Sequence, residues 1–241
     1  MQWKNKTPLL LSAFFAVVFC SVSFTNYYVF RSAALDLGLY TNAIFDYAHF
    51  RFNDSSTFKI IPENLLSDHF DLMLMLISPL SYLFRNYTLL VIQNAALIFG
   101  GYGVFRYLQS REMNQNFCLA GMAIFYLQFS VFAAVGADYH SKVIAVSFLP
   151  WFFYYLHSKK FYASTFIFIL IIICQENMSL WTTFVAAGAI LLFKTGIQRK
   201  ILSVYIVISI LYFFVITVYV MPSMSVSHSF YQCTCNLQGT A

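Results

Sequence analysis

Charge is what this sequence has least of. Its 241 residues carry 14 Lys and Arg and nine Asp and Glu, 10% charged in all, where a soluble domain carries roughly 25%. Set against 60% hydrophobic residues, 20% aromatic residues and a mean hydropathy of +0.71, that deficit excludes an ordinary soluble domain. Paired cysteine motifs are lacking too. Cys20, Cys118 and Cys174 stand singly in apolar runs and read as small hydrophobes. Cys233 and Cys235 form a lone C-x-C without the second ligand pair that a structural zinc site needs. There is no internal repeat and no low-complexity linker. The net charge of +5 calls for no nucleic acid, because its distribution follows membrane topology.

What is present is a series of apolar runs of about 20 residues, each long enough to cross ~30 Å of hydrocarbon. They predict an all-α, polytopic membrane protein with seven spans, near 8–29, 87–108, 117–137, 142–157, 161–175, 177–194 and 201–220. The N-terminal MQWKNK and the apolar run after it exceed the about 7 to 15 apolar residues of a signal peptide and lack an A-x-A site, so they read as an uncleaved first span. With the N-terminus in the cytoplasm of a cell whose inner or plasma membrane holds the chain, nine basic residues face inward and five outward. Lys4, Lys6, Arg106, Arg111, Lys159, Lys160, Lys194, Arg199 and Lys200 oppose Arg31, Arg51, Lys59, Arg85 and Lys142, the orientation the positive-inside rule favours. Residues 1–222 form one transmembrane module. Residues 223–241 lose all periodicity and read as a short disordered tail.

The acids sort more sharply. Asp36, Asp46, Asp54, Glu63, Asp68, Asp71, Asp138 and Glu176 all fall on or near the outer face, with His49, His69, His140 and His228, while Glu112 alone lies inside. One face therefore owns nearly all the acid–base chemistry. The first outer loop, about 30–86, is too long for a simple connection. Leu35, Leu39, Ala43, Phe45, Ala48 and Phe52 recur at helical spacing and predict an interfacial helix, with Asp36, Asn42, Asp46 and His49 on its polar side. Phe70 to Phe84, short and containing Pro79, predicts a second interfacial or re-entrant helix.

Four polar groupings meet at that face: Asp36; Asp68, His69 and Asp71; Asp138 to Lys142; and Gln175 to Asn177. Each also has a structural reading. Asp36 suits a helix N-cap, and Asp68 and His69 suit solvated residues ahead of a helix. Asp138 and Lys142 are spaced to pair across one turn, and Glu176 suits a hairpin turn between two short spans. Nothing about folding, however, requires all the acids to choose one side. The aromatic residues, with Trp3, Trp151 and Trp181 towards span ends, read as an interface belt.

The stretches LDLGLYTNAIFDYAH, DHFDLMLMLISPLSYLF, TLLVIQNAALIFGGYGVFRYLQSR, ADYHSKVIAVSFLPWFFYYL and QENMSLWTTFVAAGAILL, taken in order, resemble a family of prokaryotic membrane proteins, domain of unknown function 2079. That family looks like a distant branch of the GT-C integral-membrane glycosyltransferases. The resemblance implies a GT-C-like fold, a polyprenyl-phosphate sugar donor and a reaction at the extracytoplasmic face. It makes Asp36, in the first outer loop, the catalytic base, and it matches His69, Asp138, His140 and Glu176 to positions of the family pattern. Gln175 stands where a lysine is common, Asn177 where an acid is common, and Asp71 where a small residue is common. The chain also ends after the seventh span, about half the length expected of that family.

The residues fit such a transfer independently. A carboxylate serves as base for the acceptor hydroxyl, here Asp36, and cations stabilise the departing phosphate, here His140 and Lys142. His69, Asp138 and Glu176 complete the substrate-binding shell, and Asp68 and Asp71 are the candidate ligands for a divalent cation, Mg²⁺ or Mn²⁺. The alternatives are a transporter or flippase of lipid-linked or small polar substrates, since intramembrane acids also couple to protons, and a non-catalytic membrane scaffold.

Overall fold

The structure is a computed structural model that describes residues 6–31, 36–55, 63–193 and 196–225; the side chains of residues 36, 54, 55 and 63 are outside that description. Thirteen α-helical segments follow one another among the described residues. They are α1 (Thr7–Tyr28), α2 (Asp36–Ala48), α3 (Leu65–Asp68), α4 (Leu72–Ile77), α5 (Ser81–Phe84), α6 (Thr88–Ser110), α7 (Gln115–Leu127), α8 (Phe129–Gly136), α9 (Ser141–His157), α10 (Phe161–Ile172), α11 (Glu176–Leu192), α12 (Gly196–Val215) and α13 (Met221–Met224). The other regular elements among the described residues are two 3₁₀ turns (Ser78–Leu80 and Arg85–Tyr87), a π-helical turn (Ile216–Val220) and a two-residue antiparallel bridge of Asp54–Ser55 with Glu63–Asn64. The Cys233 and Cys235 motif and the tail beyond residue 225 lie outside the described residues.

The helices fall where the apolar runs put them, but few have the length of a full span. Among the described residues, three helical stretches, Thr7–Tyr28, Leu72–Ser110 and Gly196–Met224, are long and apolar enough to cross a membrane. The pair α7 and α8, bent by 44° at Gln128, makes a fourth if it is one span. α9, α10 and α11, of 17, 12 and 17 residues, are shorter than the about 20 residues that a perpendicular crossing needs.

Helix α6 is the centre of the bundle. At Gly101 an added Cβ would sit 2.1 Å from the Tyr126 ring, and at Gly103 it would sit 2.7 Å from the Trp151 ring. Glycine at both positions lets α7 and α9 approach closely, the packing that helices in lipid use where no hydrophobic force draws them together. Two bonds lock those contacts. Tyr126 donates its hydroxyl to the Ile98 carbonyl at 2.8 Å, and Trp151 donates its indole N–H to the Phe99 carbonyl at 2.8 Å.

Ends pair with ends. At one end the His157 Nε2 reaches the Ser110 carbonyl at 3.2 Å and the Gln198 amide donates to the Leu156 carbonyl at 2.7 Å, joining the ends of α6 and α9 to the start of α12. At the other, the Asn26 amide donates to the Gly136 carbonyl at 3.1 Å. Lys6, Arg106, Arg111, Lys159, Lys160, Arg199 and Lys200 stand at the first end, and Asp68, Asp71, Asp138 and Glu176 at the second.

The helix expected over residues 35–52 is present as α2, which ends at Ala48, and its buried face is turned relative to the expected one. Leu37, Tyr40, Ala43, Ile44, Tyr47 and Ala48 are buried against the bundle, so of the expected face Ala43 and Ala48 point inward, whereas Phe45 is 55% exposed and Phe52, beyond the helix end, 70%. Asp46 accepts a hydrogen bond from Asn53 at 2.9 Å, which closes the end of α2. The 70–84 segment is the broken run of α4, a 3₁₀ turn through Pro79, and α5.

Candidate functional site

Three connections return to the acidic end of the bundle at one level: the turn 68–71 into α4, the link 137–140 into α9, and the link 173–175 into α11. Helix starts dictate the first and third. Asp71 caps α4, its carboxylate accepting the Leu74 N–H at 3.3 Å, a role for which Asp is favoured. The next free N–H groups of α4, those of Leu72 and Met73, donate to the Ile173 carbonyl at 3.0 and 3.2 Å. The break between α10 and α11 is thereby tied to the start of α4.

Glu176, the first residue of α11, reaches into the same turn. Its Oε2 accepts the Phe70 N–H at 2.9 Å, and its Oε1 lies 4.0 Å from His69 Nδ1. The Gln175 side-chain nitrogen is 3.0 Å from that same Nδ1, and Asp68 Oδ2 is 3.9 Å from Nε2. The imidazole thus stands between two carboxylates with an amide beside it. At 4.0 Å the Glu176 contact is an ion pair rather than a hydrogen bond. The Gln175 amide donates to a neutral Nδ1 and must present its oxygen to a protonated one, so its orientation follows the charge of His69.

The charges are mutually reinforcing. The Glu176 carboxylate raises the His69 pKa above its usual value; burial opposes this, Asp68 adds to it, and Lys142 at the start of α9 subtracts from it. Lys142 therefore belongs to the same neighbourhood. Burial would push Glu176 upward, but His69 and the backbone N–H groups of Glu176 and Phe70 prevail and hold it below the usual carboxylate value.

Behind the pair runs a buried relay. Ser141 donates its hydroxyl to Asp71 Oδ2, and the Tyr139 hydroxyl lies 2.8 Å from the same Ser141 oxygen. With Asp71 ionised, Ser141 gives its one proton to the carboxylate, so Tyr139 is then the donor to Ser141. Asp71 is 2% exposed, and burial lifts its pKa to about 7 against the bonds from Ser141, Leu74 and Met73. The Tyr139 ring packs edge-on against Tyr40 of α2, centroids 5.6 Å apart.

The link into α9 is held by Gln93 of α6. Its amide nitrogen donates to the carbonyls of Ala134 at 2.9 Å and Asp138 at 3.4 Å, and its oxygen accepts the His140 N–H at 2.9 Å. From α12, Tyr212 packs against the cluster of Leu66, Phe70 and Ile216 beside the turn 68–71. Its hydroxyl oxygen is buried and has no hydrogen-bond partner among the described residues.

Of the residues expected to form a site, His69, Glu176, Lys142 and Asp68 share one neighbourhood, with Asp71 directly behind. Asp138 is buried and His140 half-buried, at the turn that Gln93 fixes. Asp36 opens α2, one helical turn before Tyr40; its side chain is outside the described residues. Of the two expected divalent-cation ligands, Asp68 is exposed and Asp71 is buried. The Asp71 carboxylate is engaged by Ser141 and the α4 terminus, and among the described residues no three His, Cys, Asp or Glu side chains are grouped to hold a metal ion. Sequence reasoning passed over Ser141 and Tyr139 as participants, although both sit beside Asp138 and His140. Gln93 had a visible signal, an amide inside an apolar run. Tyr212 had none, being one aromatic residue among many.

Residues 26–236 match the family described as predicted membrane protein (DUF2079). No curated protein and no solved structure matches the chain.

Proposed function

We propose, for a chain that belongs to the DUF2079 family of predicted membrane proteins, a group-transfer function at the acidic end of its helical bundle: moving a sugar from a polyprenyl-phosphate donor to an acceptor hydroxyl. The observation that carries this reading is the setting of His69, fixed between Asp68 and Glu176 with the Lys142 ammonium nearby. A raised pKa keeps more of the imidazole protonated near neutral pH, so His69 and Lys142 supply two cations at the bundle end. That is what a departing phosphate requires. Glu176, held ionised, keeps His69 oriented. His140 and Asp138, on the turn braced by Gln93, bound the site on the α9 side. Asp36, in the first turn of α2, is the acceptor's base. We place the site on the extracytoplasmic side, with the N-terminus of a seven-span, GT-C-like module in the cytoplasm of a cell whose inner membrane holds it, because the basic end then faces the cytoplasm.

The test is transfer of label from a polyprenyl-phosphate sugar in membranes containing the full chain. His69→Gln and Lys142→Gln should each slow transfer by about 100-fold, the scale for losing a group that stabilises developing charge. Full activity in both would remove the phosphate assignment, and full activity in Asp36→Asn would remove the base.

One observation favours a second reading, a proton-coupled transporter. Asp71 is buried, titrates at about 7 and is wired through Ser141 to Tyr139, as a proton-carrying acid in a membrane protein is. Uptake into proteoliposomes driven by a pH gradient and lost in Asp71→Asn, with no label transfer, would select that reading.

A further inference from the structure

At the basic end of the bundle, remote from the acidic cluster, α1, α6 and α7 enclose a cavity of about 430 Å³ whose lining includes Pro8, Tyr102, Arg106, Gln109 and Gln115. That volume lies in the range of about 300–1,000 Å³ typical of ligand pockets. Its cation is held in place without being neutralised. The Arg106 guanidinium donates to the Tyr154 hydroxyl at 3.1 Å and lies 5.5 Å from the centre of the Tyr154 ring. Both contacts orient the group and neither carries a negative charge. Among the described residues no carboxylate lines the cavity.

The surrounding backbone has the same sign. Pro8 and Gln115 belong to the first turns of α1 and α7, so two helix N-termini, each equivalent to a partial positive charge, lie beside this space, that of α7 capped in part by Asn114, whose side-chain oxygen accepts the Phe117 N–H at 2.8 Å. The opposing dipole of α6 is blunted, because its last carbonyls are already used. The Ser110 carbonyl is reached by His157, that of Gln109 accepts from Glu112, and those of Tyr107 and Leu108 accept from Arg111. The neighbouring outer faces of α1 and α7 are apolar and exposed, Leu9 at 58%, Leu10 at 61% and Phe117 at 54%. The cavity therefore opens where an apolar, lipid-facing wall gives way to a ring of basic residues, the level at which phospholipid headgroups lie.

We infer that this cavity is a binding site for a phosphate-bearing anion of headgroup size, with Arg106 as its charged contact and Gln109 and Gln115 as neutral hydrogen-bonding groups at its wall. An anionic phospholipid headgroup and a soluble organic phosphate share this chemistry, and basic pockets between membrane helices are recognised sites for the former.

The experiment uses the purified full chain in a neutral detergent. Its thermal-unfolding midpoint is followed while dioleoylphosphatidylglycerol, dioleoylphosphatidylcholine, glycerol 1-phosphate or inorganic phosphate is titrated in separate arms. The phosphatidylglycerol arm, the soluble-phosphate arms, or both should raise the midpoint, which assigns the anion to the membrane, to water or to either. Phosphatidylcholine should not. In Arg106→Gln the concentration giving half the effect should rise by about tenfold, the scale of one charge-assisted hydrogen bond. Lys160→Gln, at the same end but outside the cavity, should behave as the unaltered protein. Should Arg106→Gln not fold, Gln109→Trp decides instead, because its indole would occupy the cavity from an exposed position on α6 and should abolish the response. An equal response in the unaltered protein and the cavity variants, an equal response to phosphatidylcholine, or no response in any arm would overturn the inference.

Discussion

Replacing Asp71 by Asn should make the protein more stable at alkaline pH than it already is, and the size of the effect follows from the burial of the carboxylate. The ordinary value for the group is 3.8, and in the folded chain it rises to about 7, chiefly because the ionised form is taken out of water. A raised folded-state pKa means that the native state binds the proton more tightly than the unfolded chain. The associated stability is then complete below 3.8 and is lost as pH rises through about 7. Between pH 5 and pH 8 the unaltered protein should lose about 2 to 3 kcal/mol through this one group. Asn does not titrate and avoids that loss while retaining an oxygen for Ser141 or the Leu74 N–H. Any change in capping adds a constant of up to about 1 kcal/mol, so the diagnostic is the slope with pH. His69 also loses stabilisation as pH rises, but it does so in both proteins and largely cancels in the difference. In detergent, unfolding midpoints at pH 5, 6.5 and 8 should diverge in favour of Asp71→Asn, by about 5–10 °C across the range for a chain of this size. A difference that is the same at every pH would refute the premise that Asp71 is desolvated and protonated near neutrality.

Two further outcomes are expected. Glu176→Gln removes the main influence that raises His69, so the imidazole midpoint, read by NMR of a histidine-labelled sample, should move down; an unmoved midpoint would show that the pair does not form. Gly101→Ala places a methyl group 2.1 Å from the ring of Tyr126, a fully buried side chain, and should lower stability by about 1–3 kcal/mol as an overpacked site does; an unchanged unfolding midpoint would mean that α6 and α7 do not meet as described.

The acidic end was legible in the sequence because charge is so rare in this chain that each acid stands out, and because turns between apolar runs put residues at known depths. His69, Glu176 and Lys142 could be placed on one face by counting spans alone. Their partners could not. Asp68 and Asp71 are three residues apart and equally acidic, yet one is exposed and the other buried. Asp71 finds its partner in Ser141, 70 residues on, which no local pattern reveals.

The turned face of α2 has a more general cause. Hydrophobic periodicity selects a buried face only where the alternative is water, and in a bilayer the alternative is equally apolar. The ring of Phe45 therefore gives no preference for the interior, and Tyr40 and Tyr47 take it, where their size fills the space against the bundle and Tyr40 meets Tyr139. In such a protein polarity is the better guide to the packed side. Ser12 and Ser23 of α1, Gln93 and Asn94 of α6, Ser147 of α9, Ser164 of α10 and Ser179 and Thr182 of α11 are all buried, while Leu9, Leu10, Phe14 and Val17 of α1 are exposed. Small residues turn inward because they let helices approach closely in lipid, and some of the polar ones, such as Gln93, find hydrogen-bond partners there, whereas each large apolar residue on the outside costs nothing in lipid. On that rule the Gln93 amide should be found at the heart of the bundle, and it is there, bracing the turn that carries Asp138, His140 and the serine that completes the Asp71 relay.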